Sequence, residues 1–154
     1  HYQHSEIGYN YRMSNICAGI GRGQMEVLDL HVQKRRAMQL FYTELFKDIE
    51  GVTVFTVPND DYFANYWLSS IVVDSQMTNG KTREDLRIYL ESKNIESRPL
   101  WKPMHLQPIF EKYPYYGTYI SEGLFNNGLC LPSGSNLTDA DKNRIQTEIR
   151  AFFN

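Results

Sequence analysis

The sequence predicts an α+β domain in which helices pack on a small, mainly antiparallel sheet. A helical pattern of apolar residues runs over residues 14–50, and two later helices begin at the capping residues Thr82 and Thr138. Short segments rich in β-branched and aromatic residues lie between the helices, above all residues 65–74. The predicted order is helix, strand, strand, helix, strand, loop, helix, strand, helix, in a single domain over residues 1–154.

The first helix is predicted to follow the N-cap Ser14 and to end before Gly51, with apolar residues at three-to-four-residue steps. At about 1.5 Å per residue it would span about 50 Å, so it either bends or reaches beyond the domain. Three glycines near its start follow no strand, so a nucleotide-binding loop is not indicated. They favour the close approach of another helix instead, at Gly19, Gly21 and Gly23.

The middle of the chain alternates strands with one capped helix. Residues 52–55, 65–74 and 95–98 are predicted strands because β-branched and aromatic side chains dominate them. Thr82 begins a helix that runs to about Lys93, and its third residue completes a variant of the capping box.

The last third is predicted to hold a short helix, a strand and a terminal helix. Ser121 is the expected cap of a helix that runs through residues 122–127. Residues 128–134 predict a short strand that ends in a tight turn. Thr138 and the acids after it predict the start of the final helix.

Composition excludes several classes of function. The formal net charge of −2 provides no basic field for nucleic acid, and no apolar run reaches membrane-spanning length. Cys17 and Cys130 are far apart without a CxxC motif, which predicts reduced thiols in a cytosolic protein and a buried Cys130. The histidines and cysteines lack zinc-site spacing, so no metal ligands are assigned.

Residues 97–108 form the stretch with the densest chemistry. Proline fixes φ and removes backbone donors, so its three prolines exclude a long helix or a central strand. This favours a stiff loop that presents side chains to a ligand, namely those of Arg98, Trp101, Lys102 and His105. The alternative is a proline-rich corner that packs Trp101 and Leu106 into a core.

The cationic side chains predict an anion site. Charge-assisted donors that suit phosphate occur in two places, at Asn10 with Arg12 and at Arg98 with Lys102. Trp101 offers a face to a base or a sugar. Residues 133–135 add hydroxyl and backbone donors in a turn. The pattern favours a phosphorylated, ring-bearing ligand over arginines and lysines that are merely solvated.

Three motifs resemble those of a known family. They are Gly-Tyr-Asn-Tyr-Arg-Met-Ser-Asn at residues 8–15, Ile-Glu-Ser-Arg-Pro-Leu-Trp-Lys-Pro-Met-His-Leu-Gln-Pro at 95–108 and Gly-Leu-Cys-Leu-Pro-Ser-Gly at 128–134. The first is similar to the DegT/DnrJ/EryC1/StrS family of pyridoxal-phosphate-dependent nucleotide-sugar aminotransferases. The others resemble the branch that aminates UDP-4-keto-6-deoxy-N-acetylglucosamine for bacillosamine-type sugars.

The resemblance implies the C-terminal small domain of a fold-type-I pyridoxal-phosphate-dependent transferase. In that family a large domain comes first and carries the lysine that forms the Schiff base. No lysine of this sequence lies in a similar context. The chain is therefore expected to be a piece of a longer protein, to hold no catalytic residue and to have no transaminase activity alone.

The resemblance also implies roles for particular residues. Asn10 would reach across a homodimer interface to the cofactor phosphate of the neighbouring subunit, with Arg12 as its support. Lys102 and His105 match positions near the nucleotide-sugar, whereas Arg98 and Trp101 are substrate-binding candidates on chemical grounds.

The implied reaction moves an amino group from glutamate to C4 of a UDP-4-keto-6-deoxy-HexNAc for surface polysaccharide or glycan biosynthesis in the cytoplasm. Pyridoxal 5'-phosphate would be bound in the full-length enzyme. The alternative is a non-catalytic binding or interaction domain for a phosphorylated sugar, and C4 against C3 stays open. As part of a larger dimer, the isolated chain is expected to expose apolar surface.

Overall fold

The computed structural model describes residues 9–154, which form helices packed on a four-stranded sheet. The helices are α1 (Asn15–Glu26), α2 (Leu28–Phe46), α3 (Arg83–Ser92), α4 (Ile120–Asn127) and α5 (Asp139–Phe153). The strands are β1 (Val52–Val54), β2 (Ser69–Val73), β3 (Arg98–Pro99) and β4 (Gly128–Leu131). The strand order is β1-β2-β4-β3 and each neighbouring pair is antiparallel, which confirms the predicted fold class.

The hydrophobic core lies between the sheet and helices α2, α3 and α5. Ile71 of β2 and Leu129 of β4 are paired in register and fully buried, and Leu86, Leu90 and Ile149 cover them from the helices. Side chains alternate along a strand, so Cys130 points to the other face, where its Sγ lies 3.6 Å from Ser70 Oγ. The prediction of a buried, free Cys130 is confirmed.

The edge strand β3 begins three residues later than predicted. Asn94 has a φ of +55° and turns the chain sharply after α3. The backbone N–H of Ile95 then donates to Leu90 O (2.8 Å), which commits Ile95 to the helix end and to the core. Pro99 is tolerated in β3 because the strand pairs only with β4.

The prediction of a single first helix was wrong. The structure has two helices with a break between them, where the sequence had left a bend as one possibility. The chain leaves helical geometry at Val27, between α1 and α2. Helix α2 ends at Phe46, so Gly51 is not its C-terminal glycine. Gly51 instead turns into β1 with a φ of +81°, and a Cβ there would lie 2.8 Å from Met77 Cβ.

Helix α1 is capped as predicted but is not packed. Ser14 Oγ accepts from the Cys17 N–H (3.2 Å), and no residue of α1 is buried. A Cβ at each of its three glycines would meet nothing within 4 Å, so the predicted close approach of another helix does not occur within residues 9–154. The expected exposed apolar surface is present here, at Ile16, Ile20 and Met25.

The two later capping predictions are confirmed. The hydroxyls of Thr82 and Thr138 accept from the backbone N–H groups of Asp85 and Asp141. In return, the backbone N–H of each threonine donates to the carboxylate of that aspartate, which completes a capping box at both helices. The Ser121 cap was wrong, because α4 begins at Ile120 after Tyr119 adopts a φ of +59°.

Strand β2 is shorter than predicted. Residues 65–68 are not part of it, because Tyr66 takes a φ of +50° and reaches back with its hydroxyl to Thr56 Oγ1 (3.1 Å). The proline-rich stretch holds two short 3-10 turns, Met104–Leu106 and Pro108–Phe110. None of the helices in the described part of the chain is long and apolar enough to cross a membrane.

Candidate functional site

A cleft of about 890 Å³ opens beside the edge strand β3 and the first turns of α5. Its volume falls in the range of about 300–1,000 Å³ that is usual for small-molecule sites. The cleft brings together two of the predicted substrate-binding residues, Arg98 and Trp101. Its other walls are largely apolar and include Phe125, Leu131, Pro132, Leu137 and Ile145.

Trp67 is a cleft residue that the sequence did not identify as functional. Its indole lies beside that of Trp101, with ring centroids 5.9 Å apart and planes inclined by 34°. Both rings are largely exposed, Trp67 to 59% and Trp101 to 68%. Because Trp101 lines the cleft and is largely exposed, the proline-rich stretch does not pack this ring into the core.

The backbone of Trp67 is fixed from two sides. Its N–H donates to Asn65 Oδ1 (3.1 Å), and its carbonyl accepts from Arg35 Nη1. The same guanidine nitrogen donates to Ser133 O (3.2 Å), so Arg35 joins the start of β2 to the end of β4. The aromatic wall of the cleft therefore rests on a long-range contact from α2.

Arg98 is a weakly held cation at the cleft. Its Nε and Nη2 donate to Glu96 Oε1 (2.8 and 2.5 Å), and both side chains are more than 70% exposed. An exposed ion pair of this kind contributes about 0–1 kcal/mol, so an incoming anion displaces Glu96 at little cost. Arg98 is therefore suited to exchange Glu96 for a phosphate group.

Two other charged residues of the cleft are committed to the fold. Arg144 donates to the carbonyls of Lys93 and Asn94 at the end of α3, the latter at 3.1 Å. Asp141 accepts from the hydroxyl and the N–H of Thr138, and these hydrogen bonds hold the pKa of its carboxyl below its usual value. Neither group is set up to receive a ligand.

Lys102 and His105 lie outside the lining of the cleft. Lys102 is exposed, and its carbonyl accepts from Gln107 Nε2 (3.4 Å). His105 is held by Glu122, whose Oε1 lies 2.8 Å from its Nε2, and by Tyr115, whose ring stacks on it at 3.8 Å. The imidazole is thus oriented by two neighbours.

Asn10 and Arg12 lie in the extended segment before α1, away from the cleft lining. Asn10 Oδ1 accepts from the Arg12 N–H (3.0 Å), a turn that engages the oxygen of the side chain and not its NH₂ group. Both side chains are exposed. An amide NH₂ and a guanidinium are donors that fit a phosphate group. Gly8 of the same motif lies outside the described residues.

The hydroxyls of the turn after β4 are used inside the protein. Ser133 Oγ donates to Leu131 O and accepts from the Ser69 N–H, both at 2.7 Å. Ser135 Oγ lies 2.7 Å from His31 Nδ1. The expectation that these serines serve a ligand is not supported, because each already has a partner.

Comparison with known proteins identifies the family. Residues 1–150 match the DegT/DnrJ/EryC1/StrS aminotransferase family, and the chain belongs to it. The "Putative pyridoxal phosphate-dependent aminotransferase EpsN" of Bacillus subtilis (strain 168) is 44% identical over 149 residues, which cover 94% of this chain and 37% of EpsN. The GDP-perosamine synthase of Escherichia coli O157:H7 is 36% identical over 153 residues, which cover 99% of this chain and 40% of that protein.

A solved structure shows the same fold. The aminotransferase TlmJ from Streptoalloteichus hindustanus superposes with a TM-score of 0.82 at 20% identity, over 97% of this chain and 39% of TlmJ. The chain thus spans about two fifths of the length of the proteins it matches.

Proposed function

We propose that this chain is the C-terminal small domain of a pyridoxal-phosphate-dependent nucleotide-sugar aminotransferase and supplies part of its substrate site. The observation that carries the proposal is the cleft in which Arg98 and Trp101 meet, within a chain of this aminotransferase family. Relatives named as an aminotransferase and as a GDP-perosamine synthase support the same class of reaction.

The proposed reaction moves an amino group from glutamate to C4 of a UDP-4-keto-6-deoxy-HexNAc, for surface polysaccharide or glycan biosynthesis in the cytoplasm. Pyridoxal phosphate, when bound, supplies the electron sink for amino transfer. Arg98 exchanges Glu96 for the diphosphate, and Trp101 covers a ring of the substrate. Lys102 and His105 approach the nucleotide-sugar from the adjoining loop, where Glu122 fixes the direction of the imidazole.

Asn10 and Arg12 are proposed to hold the cofactor phosphate of the neighbouring subunit in a homodimer. Their amide and guanidinium groups fit that anion. The hydrogen bond from the Arg12 N–H to Asn10 Oδ1 keeps the two residues close together. The turn presents both side chains on an exposed segment, where a second subunit can reach them.

The chain alone is proposed to be inactive. The lining of the cleft supports this, because it contains no lysine among the described residues, whereas the proposed reaction uses a Schiff-base lysine as its general base. The cleft residues bind and orient the substrate without moving its protons.

The first experiment compares the full-length protein with the 154-residue chain. The full-length protein is expected to show a cofactor absorbance band that borohydride removes, and to aminate a keto-sugar from a panel of UDP- and dTDP-linked substrates with glutamate. The 154-residue chain is expected to do neither. If the full-length protein never binds the cofactor, the proposal fails and a non-catalytic binding domain becomes the better account.

A second experiment tests Arg98 in the full-length protein. Loss of a charged hydrogen bond to the diphosphate predicts that Arg98→Gln raises KM for the nucleotide-sugar about tenfold or more and leaves kcat nearly unchanged. Arg150→Gln, on the exposed last turn of α5, is the matched control. An unchanged KM in Arg98→Gln would remove Arg98 from the site. Product NMR distinguishes amination at C4 from C3.

A further inference from the structure

We propose that Trp67 and Trp101 together form the subsite for the flat heterocyclic base of the nucleotide. This deepens the proposed function and rests on it for the identity of the ligand as a nucleotide-sugar. Trp67 is the new element of the assignment, since it comes from a segment predicted as strand and lies 34 positions from Trp101 in sequence.

The geometry of the two indoles is that of an open stacking platform. The ring centroids are 5.9 Å apart with planes inclined by 34°, and both residues line the cleft and are largely exposed. Each keeps more than half of its surface accessible, which is unusual for the largest apolar side chain. Base–aromatic stacking contributes about 1–3 kcal/mol per base and needs only such a face.

The lining favours a base over a sugar or a diphosphate in the interior of the cleft. Apolar side chains dominate its walls, and the charged Arg144 and Asp141 are committed to helix ends. A sugar or a diphosphate would bring more hydroxyls or charges than the few polar side chains of this lining can pair with. A base carries its polar atoms on its edge, where few partners suffice, and offers its faces to the apolar walls.

Charge complementarity sets the orientation of the nucleotide. Arg98 lines the same cleft as the two indoles, and its guanidinium forms an exposed ion pair with Glu96. With the base on the indoles, the attached phosphates can replace Glu96 as partners of the guanidinium.

The platform is also preorganised. Both backbone groups of Trp67 are fixed, its N–H by Asn65 and its carbonyl by Arg35. The prolines on either side of Leu100–Lys102 restrict the backbone around Trp101. Walls that are already in place lose little conformational freedom when a ligand binds, which favours binding.

The test uses the 154-residue chain, whose two tryptophans are both in the cleft. Indole fluorescence, excited at the red edge, is recorded during titration with UDP, UMP, ribose 5-phosphate and inorganic pyrophosphate. We expect UDP and UMP to quench the emission and ribose 5-phosphate and pyrophosphate to leave it unchanged. Absence of nucleotide binding, or equal quenching by pyrophosphate, would overturn the assignment.

Variants of the two tryptophans show whether nucleotide binding depends on these rings. Their affinities for UDP are measured by calorimetry, because each variant lacks one of the two fluorophores. Trp67→Leu and Trp101→Leu are each expected to weaken UDP binding at least about fivefold, whereas Trp67→Phe and Trp101→Phe keep most of it. Tyr116→Leu removes an aromatic ring that is 88% exposed outside the cleft, and is expected to change nothing. If both leucine variants bind UDP as well as the unaltered chain, the proposal is wrong.

The phenylalanine variants guard against misfolding, since they keep a ring at each position. This test is independent of amino transfer. Stacking without cofactor binding in the full-length protein would contradict the proposed function and leave the subsite standing. Amino transfer with a KM for the nucleotide-sugar that neither leucine substitution changes would contradict the subsite and leave the proposed function standing.

Discussion

Helices α1 and α5 start in the same way and end in different roles. Each begins at a hydroxyl residue that caps it, Ser14 for α1 and Thr138 for α5. Helix α5 buries Ile145 and Ile149 in the core, whereas α1 buries nothing. Local signals set where a helix begins, but packing of an apolar face supplies most of its stability.

The contrast extends to the candidate site. The cleft is built against α5 and the buried strand β4, so its walls belong to the stable part of the chain. Asn10 and Arg12 precede α1, whose apolar side chains at Ile16 and Ile20 remain uncovered by the described residues. The cleft is therefore formed within this chain, whereas Asn10 and Arg12, which we propose for the cofactor phosphate, lie next to a helix that the described residues leave unpacked.

The largest difference between the two helices is expected when a buried side chain is removed from α5 and an exposed one from α1. Ile149→Ala leaves a cavity at a fully buried position and is expected to cost about 2–5 kcal/mol in the free energy of unfolding. Ile20→Ala, at a position 60% exposed, is expected to change it by less than about 0.5 kcal/mol. Urea unfolding of the 154-residue chain measures both, and equal costs would refute the contrast.

Glycines give the second test. In β4, a Cβ at Gly128 would collide with Leu100 Cδ1 and with the carbonyl oxygen of Leu124, so Gly128→Ala is expected to cost about 1–3 kcal/mol. In α1, Gly21→Ala meets no neighbour and is expected to favour the helix by roughly 0.8–1 kcal/mol. Urea unfolding reports the first change and far-ultraviolet circular dichroism the second. A destabilised chain from Gly21→Ala would mean that α1 is packed after all.

Caps give a smaller effect. Thr138→Ala removes the side-chain acceptor of the α5 capping box and is expected to lower the free energy of unfolding by about 1 kcal/mol. Ser14→Ala removes the corresponding bond in α1, and is expected to speed amide exchange in α1 without shifting the global urea transition. A global loss of stability in Ser14→Ala would show that α1 is coupled to the core.

The smallest expected effect is on the pH dependence of stability. Donation by the Thr82 and Thr138 hydroxyls holds the pKa values of Asp85 and Asp141 below their ordinary value of 3.8. Since the folded-state pKa is the lower one, the stabilisation is complete above 3.8 and is lost as pH falls through the folded values. Thermal melts from pH 6 to pH 2 are expected to show this loss. Asp85→Asn is expected to flatten it, and an unchanged slope would contradict the capping account.

The sequence predicted those parts of the fold that depend on neighbouring residues. The caps at Thr82 and Thr138 were correct because a capping box is completed within four residues. The break at Val27 was missed, since no proline or glycine marks it. The start of β3 and the start of the predicted 65–74 strand were misplaced, because left-handed turns at Asn94 and Tyr66 delay both strands.

The site was predictable in its chemistry but not in its assembly. Arg98 and Trp101, which both line the cleft, could be singled out together because they are close in sequence and of residue types that bind anions and rings. Trp67 was missed because its place in the cleft depends on Arg35, which is 32 positions away. The local sequence around Trp67 offers only two adjacent aromatic residues after Asn65, a pattern that is equally typical of a strand.

We propose that this domain serves amino transfer to a nucleotide-linked keto-sugar. The cofactor absorbance of the full-length protein, followed while glutamate and then UDP-4-keto-6-deoxy-HexNAc are added, tests this directly. We expect glutamate to remove the band, the keto-sugar to restore it, and Trp101→Leu to raise the sugar concentration needed for recovery. A band that never forms, or that the keto-sugar does not restore, would contradict it.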